Sequence, residues 1–537
     1  MTAYLDPKST GFSDLAGSAY FVDKTPVIAC LNHCMEDENL KYMCLTSPPH
    51  FGKSVTAEML CTYYGRGLDS ASLFYNLKIA EEQSYSAHLN QHHVIFINMA
   101  QEYQAAGFKV KALLARLTSQ LHADLEAVFP GMINPGSTTL RHMLFDIHEA
   151  TRNQTSQYGE SFIFIIDDYD CVVRNSQVGG AELCAYLDFL TVLLKDKDYV
   201  KLCYLTGLLP IKKLGTHGGL NMFREYTVLC PGRFAPYIGF TEGEVKALCE
   251  THVRNFEEMS CRYDGYTSAE SEHIFTPGAV ISDLNSDENV DCRSHNHSNE
   301  ESLGSFLRLN FKGLKDAIVR LLTGDEELID TLGFENDLTS FKNRDHVLTL
   351  LVHLGYLTAT PAESSYRKFW VRVPNREVRE GLEAVILDEK KYTKTAAALR
   401  GADKLLEALQ QGDEQAVARG VARAHEQCCS VLTYNDENSL ACALTLAFYS
   451  ARDHYTLIRE LPSGKGFADL VFIPHPGEDL PALLLELKYD RSAETALSQI
   501  KDKHYPRALE AYRGNLILAG ISYDPKTKEH HCHTERS

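Results

Sequence analysis

The stretch SFIFIIDDYD (161–170) constrains the fold of this chain more than any other. A near-continuous apolar run bounded by polar residues is typical of a strand buried on both faces, as in a parallel sheet covered by helices. Similar β-rich runs occur at 41–47, 92–100 and 199–207, and helical patterns such as the one over 110–129 lie between them. This alternation predicts an α/β domain with a parallel sheet.

Composition limits the kinds of partner that the chain can have. The formal net charge of -19 argues against a surface covered in DNA-binding charge, so any nucleic-acid contact must be a local basic patch. The first residues lack a signal-peptide layout, and no uncharged apolar run approaches the roughly 18 residues of a membrane helix. The absence of such a run predicts no membrane association. Fifteen cysteines without a CxxC pair, in a chain without a secretion signal, predict reduced thiols and a cytoplasmic location.

A second stretch, TSPPHFGKSV (46–55), has the layout of a loop that holds nucleotide phosphates. In such a loop, backbone N–H groups surround the phosphates, a lysine neutralises them and a Ser or Thr binds Mg²⁺. The end of the loop is supplied by Phe51, Gly52, Lys53 and Ser54. Ser47 replaces the glycine that usually opens the loop, so the alternative is a helix entry with a solvated lysine.

The carboxylates that follow the apolar run favour the nucleotide interpretation. A buried strand that delivers an Asp to the carboxyl edge of the sheet is what a Walker-B acid requires. Asp167 is the predicted support for Mg²⁺, and Asp168 occupies the position of the usual catalytic glutamate. The alternative is a solvated acidic turn after a strand. Both motifs in one α/β pattern predict a site for ATP and Mg²⁺.

Several short motifs follow one another along the chain. They are YFVDKTPVI (20–28), FGKS (51–54), IIDDYD (165–170), YLTGLLPI (204–211), GGLNMF (218–223), GFTEGEV (239–245), YDGY (263–266) and IFTPGAV (274–280). In this order they resemble the AAA-ATPase-like family of bacterial proteins that carry a C-terminal PD-(D/E)XK nuclease-like domain. The resemblance spans nearly the whole chain and implies a P-loop NTPase-type domain over residues 1–255.

The resemblance also explains the missing glycine. The family's loop usually reads Arg-Pro-Arg-Arg-Phe-Gly-Lys-Ser/Thr, which has no opening glycine. This chain has Ser47, Pro49 and His50 where the family's arginines stand, and Asp168 where the family usually has Glu. The loss of three positive charges predicts nucleotide binding with weak or no hydrolysis.

Three further residues match the family in the first domain. Asp23 and Lys24 lie in a motif upstream of the loop, and the resemblance implies a role near the nucleotide; a surface ion pair is the alternative. Thr206 ends a core strand, where such folds place a polar group that senses the γ-phosphate; a simple strand cap is the alternative.

Residues 256–425 have a different pattern and are predicted to form a mostly helical middle region. Apolar residues recur there with i, i+3, i+4 spacing, and a short strand pair within SYRKFWVRVPN (365–375) interrupts the helices. A flexible insertion is predicted near 282–302, because this segment has almost no apolar residues.

Residues 426–537 read as a helix, three strands, a helix and a last strand, a compact α/β domain of its own. Asp469 lies in one strand, and Glu486 and Lys488 lie two residues apart in the next, so both point to the same face. Two carboxylates and a lysine on neighbouring strands predict a Mg²⁺ site for phosphodiester hydrolysis, in which the metal activates water and the lysine stabilises charge. A polar strand face is the alternative.

The resemblance adds residues to this second site. Gln499, Lys503 and Tyr505 resemble the Q-x(n)-Y companion of the nuclease superfamily, and Glu437 matches an acidic residue that completes the metal shell. A basic cluster that includes Lys501, Lys503 and Arg507 could contact backbone phosphates, or form a solvated helix. The stretch HHCHTE (530–535) is interpreted as a tail after the last strand, not as a zinc site.

Two functions agree with these patterns. The first is an ATP-binding, nucleotide-regulated, Mg²⁺-dependent nuclease for DNA or RNA, with a role in defence or mobile-element biology by analogy. The second is a switch that binds nucleotide without hydrolysis and uses the nuclease-like domain to bind nucleic acid or protein. A homo-oligomer is compatible with both.

Overall fold

A parallel five-stranded sheet organises the first half of the chain in the computed structural model. Its strands are β1 (Tyr42–Thr46), β2 (His93–Asn98), β3 (Phe162–Asp167), β4 (Val200–Gly207) and β5 (Arg224–Tyr226). The strand order is β2-β3-β4-β1-β5, and every neighbouring pair is parallel. The four predicted strands are confirmed, and β5 was not predicted.

The structure describes the chain except residues 1–2, 8–10, 153–158, 176, 212–218, 268–272, 287–302, 336–340, 364, 429–442, 464–465, 476, 490–491, 503–508, 510–511, 513, 525 and 537. Within helices and strands, it also does not describe the side chains of 426–428, 460–463, 466–469, 489, 497 and 499–502. Two compact units are present. One comprises Met1–Ser294 with Leu328–Val378, and the other comprises His295–Glu327 with Arg379–Ser537. The three-part division at residues 255 and 425 stays a prediction.

Strand β3 is apolar throughout because its side chains enter two separate cores. Phe162, Phe164 and Ile166 pack into one core, and Ile163 and Ile165 pack into the other. Successive side chains of a strand point to opposite faces, so a strand covered on both faces needs an apolar residue at every position.

Helices cover both faces of this sheet. They are α1 (Phe12–Ala16), α2 (Pro26–Met35), α3 (Lys53–Tyr64), α4 (Ala71–Phe74), α5 (Tyr85–His88), α6 (Met99–Ala105), α7 (Val110–Val128), α8 (Leu140–Thr151), α9 (Cys171–Arg174) and α10 (Gly180–Leu194). Apolar side chains of α7, α8 and α10 fill one core, and those of α2 and α3 fill the other.

A small antiparallel pair with three helices follows the large sheet. Its elements are β6 (Phe240–Thr241), α11 (Glu242–His252), α12 (Phe256–Tyr263), β7 (Ile274–Phe275) and α13 (Pro277–Asn285). They share a hydrophobic core of their own. The predicted flexible insertion begins too early, because residues 282–285 belong to α13; residues 287–302 lie outside the described residues.

The middle of the chain contains a three-stranded sheet in the order β8-β10-β9. In chain order, the helices and strands of this part of the sequence are α14 (Leu314–Leu322), β8 (Glu327–Asp330), α15 (Arg344–His353), β9 (Thr358–Pro361), β10 (Lys368–Arg372) and α16 (Arg376–Asp388). Strands β9 and β10 form an antiparallel hairpin. The predicted strand pair was placed wholly within 365–375, which was wrong for β9, since it precedes that segment.

The last part of the chain is a mixed sheet with helices. Its elements are α17 (Thr393–Gln411), α18 (Glu414–Cys428), β11 (Tyr455–Ser463), β12 (Gly466–Pro474), β13 (Ala482–Tyr489), α19 (Ala493–Asp502), β14 (Leu516–Asp524) and β15 (Glu529–Arg536). The order is β11-β12-β13-β14-β15, with β13 and β14 parallel and the other pairs antiparallel. Helical residues 443–447 precede β11, and the start of the predicted helix before them lies outside the described residues. The predicted helix–strand pattern is confirmed from there on, with β15 as an additional strand.

No helix in the described part of the chain combines the length and the apolar composition that a membrane span needs. The described cysteines are free thiols, from the buried Cys44 and Cys203 of the large sheet to the exposed Cys184 of α10.

Gly265 lies in the segment that connects α12 to β7, and it offers a test of how closely this segment packs against Pro374. Its φ is +129°, and an added Cβ would lie 1.8 Å from the carbonyl oxygen of Pro374. We expect Gly265→Ala to lower the free energy of unfolding by on the order of 3 kcal/mol, since it adds both strain and a clash. Chemical denaturation measures the change.

The matched control is Gly243→Ala, because a Cβ at Gly243 would meet nothing within 4 Å. We expect that variant to be as stable as the parent. Equal stability of both variants would contradict the described packing around Gly265.

Candidate functional site

The candidate phosphate loop connects β1 to α3. The chain leaves the sheet after Thr46 and enters the helix at Lys53 through Gly52, whose φ is +85°. Glycine adopts this left-handed conformation without strain, which explains its place at the helix start. The predicted strand–loop–helix is therefore confirmed, and it aims the N-terminus of α3 at the carboxyl edge of the sheet.

Lys53 contacts a backbone carbonyl oxygen and is attracted by the carboxylates that follow β3. Its Nζ donates a hydrogen bond to the carbonyl oxygen of Pro48 at 2.6 Å. Burial lowers the pKa of Lys53 to about 8, although the carboxylates of Asp168, Asp170 and Asp167 act in the opposite direction. The ammonium thus faces a negatively charged surface at the end of β3.

Asp167, at the end of β3, and Ser54, in the first turn of α3, lie on the two elements that a shared Mg²⁺ site would require. Asp167 is fully buried at the end of β3, where it accepts hydrogen bonds from the Asn98 amide at 3.1 Å and from the Asp168 N–H at 3.0 Å. Burial raises the pKa of Asp167 to about 6, and a hydrogen bond from the Ser54 hydroxyl lowers it. These two side chains supply the hard oxygen donors that Mg²⁺ prefers.

Asp168 is held by an arginine that the sequence did not single out. Its φ is +51°, a left-handed conformation that Asp tolerates better than most residues. Its carboxylate lies 3.6 Å from the guanidinium of Arg174, which also lies 3.0 Å from the carboxylate of Asp170. Arg174 therefore brings positive charge to the position of the predicted catalytic acid.

Asp170 is buried at this edge, as Asp167 is. It accepts hydrogen bonds from the N–H groups of Leu208 and Leu209 at 3.2 and 2.9 Å. A Cβ at Gly207 would lie 2.5 Å from one of its oxygens, so this strand end fits the carboxylate closely. The sequence signal for this group is the i, i+4 spacing of Asp170 and Arg174 at the start of α9.

Thr206 lies on the strand between the phosphate loop and the acidic strand. It is fully buried in β4, which pairs with β1 on one side and with β3 on the other. Its carbonyl oxygen accepts a hydrogen bond from the N–H of Tyr169 at 3.0 Å. The structure thus brings Thr206, Lys53 and Asp167 to one edge of the sheet.

The motifs after the sheet brace the phosphate loop. Phe51 is buried and packs edge-on against Tyr266, with ring centroids 5.1 Å apart. The N–H of Gly278 donates to the carbonyl oxygen of His50 at 3.1 Å, and a Cβ at Gly355 would lie 2.8 Å from Pro48. Phe51 consequently anchors the loop through its packing against Tyr266. The sequence pattern predicted Phe51 as a loop residue but did not predict this contact.

Asp23 and Lys24 have structural partners. Asp23 accepts hydrogen bonds from the N–H groups of Thr25 and Lys78, at 2.9 and 2.7 Å. Lys24 forms an ion pair with Glu244 at 2.7 Å. These contacts agree with the ion-pair alternative for Lys24.

In the C-terminal sheet, Glu486 and Lys488 form a buried ion pair on β13. The Nζ of Lys488 lies 3.1 Å from Oε1 of Glu486, and their side chains are 11% and 2% exposed. The two residues share a strand face, as predicted. A buried carboxylate beside a lysine is the arrangement expected from the sequence.

The other predicted members of this site are described only in part. Strand β12 pairs with β13 through Leu470 and Leu485, and continuing this register by one residue places position 469 opposite position 486. The side chains of Asp469, Gln499 and Lys501 lie outside the described residues, as do Glu437, Lys503 and Arg507 entirely. Their roles stay predictions.

The interpretation of HHCHTE as a tail was wrong. These residues belong to β15, which pairs with β14 along its whole length. Alternation along the strand buries His530 on one face, where it contacts His425 at 2.9 Å between ring nitrogens. The sequence EHHCHTER (529–536) has no apolar alternation, so it carried no strand signal that could have been recognised.

Two histidines of β15 lie on the same face of the sheet as the Glu486–Lys488 pair. Across the three strands, Lys488 pairs with Ser522 and Ser522 with His531, while Glu486 pairs with Gly520 and Gly520 with His533. Residues paired in this way project to one face. His531 and His533 also line a cleft of about 740 Å³ together with Ser522, Glu414 and Glu494.

Metal binding fits the residue types at both sites. Ser54 and Asp167 offer oxygen donors at the nucleotide site, and Glu486 offers a buried carboxylate next to a cation. Among the side chains that the structure describes, no group of three or more His, Cys, Asp and Glu residues is arranged as a metal site. Asp469 and Glu437, two of the three predicted ligands of the second site, are not among them.

Comparisons with protein families agree with this geometry. Residues 10–216 match the model of the predicted AAA-ATPase family, and residues 435–532 match that of the PD-(D/E)XK nuclease superfamily. The first part of the chain is AAA-ATPase-like, and its C-terminal part is PD-(D/E)XK nuclease-like. The phosphate loop, Asp167 and Thr206 lie within the first match, and the Glu486–Lys488 pair lies within the second. The resemblance and the fold class inferred from the sequence are confirmed.

Solved structures show weaker likenesses to this AAA-ATPase-like protein. The Aeropyrum pernix ORC2 protein (ADPNP-ADP complexes) is 13% identical over 71% of this chain and 95% of its own, with a TM-score of 0.29. Drosophila ORC bound to DNA is 10% identical over 70% and 92%, with a TM-score of 0.22. TM-scores this low do not establish a shared fold. No curated protein matches the chain.

His425 and His530 are buried on the opposite face of the C-terminal sheet from Glu486 and Lys488, and their burial predicts that stability depends on pH. Burial lowers the pKa of His425 and of His530 from 6.5 to about 4 each. Between these pH values the unfolded chain binds protons that the folded chain does not, so stability falls as pH falls from 6.5 to 4. Each pKa unit is worth about 1.4 kcal/mol, so we expect several kcal/mol for the pair.

Urea denaturation at several pH values measures this effect by comparing the parent with the double variant His425→Gln/His530→Gln. We expect the variant to have a flatter pH profile over this range. The control is His454→Gln, whose side chain is 51% exposed. Parallel profiles for parent and double variant would show that the two histidines do not couple folding to pH.

Proposed function

We propose that this AAA-ATPase-like protein is a nucleotide-regulated, divalent-metal-dependent nuclease that acts on DNA or RNA. The observation that carries the proposal is the buried Glu486–Lys488 pair at 3.1 Å on a strand of the PD-(D/E)XK match. A buried pair of this kind is costly to keep, since desolvation opposes the attraction between the charges. A chemical role of the pair accounts for that cost.

At the nuclease-like site, Glu486 and Asp469 would hold the metal ion, with Glu437 and Gln499 as further members. The bound metal would supply an activated water and neutralise the phosphodiester. Lys488 would position that water and stabilise the charge that develops on the phosphate. The basic residues Lys501, Lys503 and Arg507 are proposed contacts to the nucleic-acid backbone.

At the nucleotide site, the phosphates of ATP would lie at the N-terminus of α3. Lys53 would exchange its hydrogen bond with the Pro48 carbonyl for phosphate oxygens, and Ser54 and Asp167 would hold Mg²⁺. Thr206 would contact the terminal phosphate from the central strand. The support for this proposal is that these side chains meet at one sheet edge.

A second candidate function is nucleotide binding without rapid hydrolysis. The observation that favours it is the 3.6 Å approach of Arg174 to Asp168, which places a cation on the predicted catalytic acid. A carboxylate oxygen that faces a guanidinium is less available to orient the attacking water. In this case nucleotide occupancy itself would be the regulatory signal. By analogy with the family, we place the protein in a bacterial cytoplasm, in defence or mobile-element biology.

The nucleotide site is tested by Lys53→Ala. We expect this variant to raise the Kd for MgATP roughly 10- to 100-fold, because a hydrogen-bonded charge contact is lost. Isothermal titration calorimetry measures the binding, and phosphate release is followed in the same samples. Lys111→Ala, at an exposed position of α7, is the control.

Binding by the parent without phosphate release supports the second candidate function. Equal MgATP binding by parent and Lys53→Ala would show that Lys53 does not contact the phosphates. A parent that binds no nucleotide would remove both nucleotide-based functions.

The nuclease-like site is tested by Lys488→Ala and Glu486→Gln. We expect each variant to cut DNA or RNA substrates on the order of 100-fold more slowly with Mg²⁺ or Mn²⁺, because a charged group at the reacting phosphate is lost. Gel assays with single-stranded and duplex substrates measure the rate, and circular dichroism checks the fold.

The control for this pair is Lys526→Ala, at an exposed position between β14 and β15. Cutting that survives in Lys488→Ala and Glu486→Gln would assign the activity to another site or to a contaminant.

A further inference from the structure

The hairpin β9–β10 presents aromatic and basic side chains that neither proposed site uses. Tyr366, in its turn, is 82% exposed, and Trp370, in β10, is 41% exposed. Large aromatic side chains are usually buried, so two of them in solvent on one hairpin need an explanation.

The outer face of β10 alternates cations with the aromatic ring. Phe369 and Val371 are buried beneath the hairpin, while Trp370 points outward between Lys368 and Arg372. The period of two in a strand produces this separation. Thr360, the cross-strand partner of Trp370, is half-buried and polar, whereas Thr358, the partner of Arg372, is buried.

The backbone holds these side chains in place. The N–H of Ala362 donates to the carbonyl oxygen of Lys368 at 2.9 Å, which closes the hairpin. Thr331 donates to the carbonyl oxygen of Arg367 through its N–H at 3.1 Å and its hydroxyl at 3.0 Å. The Arg367 guanidinium lies over the Tyr366 ring, 5.1 Å from its centroid. A surface ordered in advance loses little entropy on binding.

The charge of the hairpin differs from that of the chain. Residues 358–375 contain three Lys or Arg residues and one Glu, whereas the chain has a formal net charge of -19. Among the residues that the structure describes, Arg367 and Lys368 form no ion pair within 4 Å. Both cations are therefore available to a negatively charged ligand.

We propose that the outer face of the β9–β10 hairpin binds single-stranded nucleic acid. Trp370 and Tyr366 stack on bases, and Arg367 and Lys368 contact backbone phosphates. Aromatic rings with interspersed cations are the combination that binds single strands without sequence preference. Duplex bases are already stacked on each other, so single strands fit this surface better. The inference concerns a different surface from the Glu486–Lys488 pair and does not require the chain to be a nuclease.

Trp370 is the single tryptophan of the chain, so its fluorescence reports on this surface alone. The experiment titrates the full chain with single-stranded DNA or RNA oligomers in EDTA, without nucleotide, and follows tryptophan emission and fluorescence anisotropy of labelled oligomers. We expect saturable quenching at the same concentrations as the anisotropy change, with weaker binding of duplex. The DNA and RNA arms show which strand is preferred.

Two variants of the hairpin distinguish the contribution of aromatic stacking to single-strand binding from the contribution of charge. We expect Tyr366→Ala to weaken single-strand binding roughly 10-fold, as loss of one stacking contact does. We expect Arg367→Glu/Lys368→Glu to flatten the slope of log K against log salt by about 1.4, or 0.7 per lost phosphate contact. The controls are Tyr75→Ala, 64% exposed elsewhere, and Lys109→Glu/Lys111→Glu.

Three outcomes overturn the inference. They are binding without a change in Trp370 emission, tighter binding of duplex than of single strands, and equal losses in the control and hairpin variants. Cutting by the parent with unchanged binding in the hairpin variants would leave the nuclease proposal standing and remove this one. Single-strand binding that depends on the hairpin residues, in a protein that does not cut nucleic acid, would leave this proposal standing and remove the nuclease proposal.

Discussion

The arrangement of the nucleotide site depends on the burial of one parallel sheet on both faces. Because β3 and β4 have apolar side chains on each side, their polar residues are confined to the carboxyl ends of the strands. Asp167, Thr206 and the loop after β1 consequently meet at one edge. The same burial that stabilises the sheet concentrates polar groups where a ligand can reach them.

At that edge a single lysine faces three carboxylates. Desolvation disfavours the charge on Lys53, while Asp168, Asp170 and Asp167 favour it. Arg174 offsets part of the negative charge by pairing with Asp168 and Asp170. In the absence of the family's loop arginines, Arg174 is the guanidinium that the structure brings to this acidic edge. A divalent cation bound at this edge would offset the remaining negative charge.

In the C-terminal sheet, the polar residues of the candidate site lie on one face of the strands. One face carries Glu486 and Lys488, and the register across β14 adds His531 and His533 to the same face. The opposite face buries His530 against His425. Because successive side chains of β15 point to opposite faces, His531 and His533 lie on the polar face, whereas His530 makes a structural contact on the other face.

The sequence by itself determined the strand–helix alternation, the phosphate-loop segment, the acidic strand end and the Glu486–Lys488 spacing, because these follow from local periodicity and short motifs. The sequence also carried the succession of motifs by which the chain resembles a known family, and models of the two domains match residues 10–216 and 435–532. It could not supply Asn98 or Tyr266 as neighbours of the site, since their contacts join segments distant in sequence. Arg174 is different, because its i, i+4 spacing from Asp170 is a local signal that was missed. The sequence also missed β15, whose polar residues have no apolar period until β14 pairs with them. Only the tertiary structure decided which polar residues meet, because register and packing, not local pattern, set those distances.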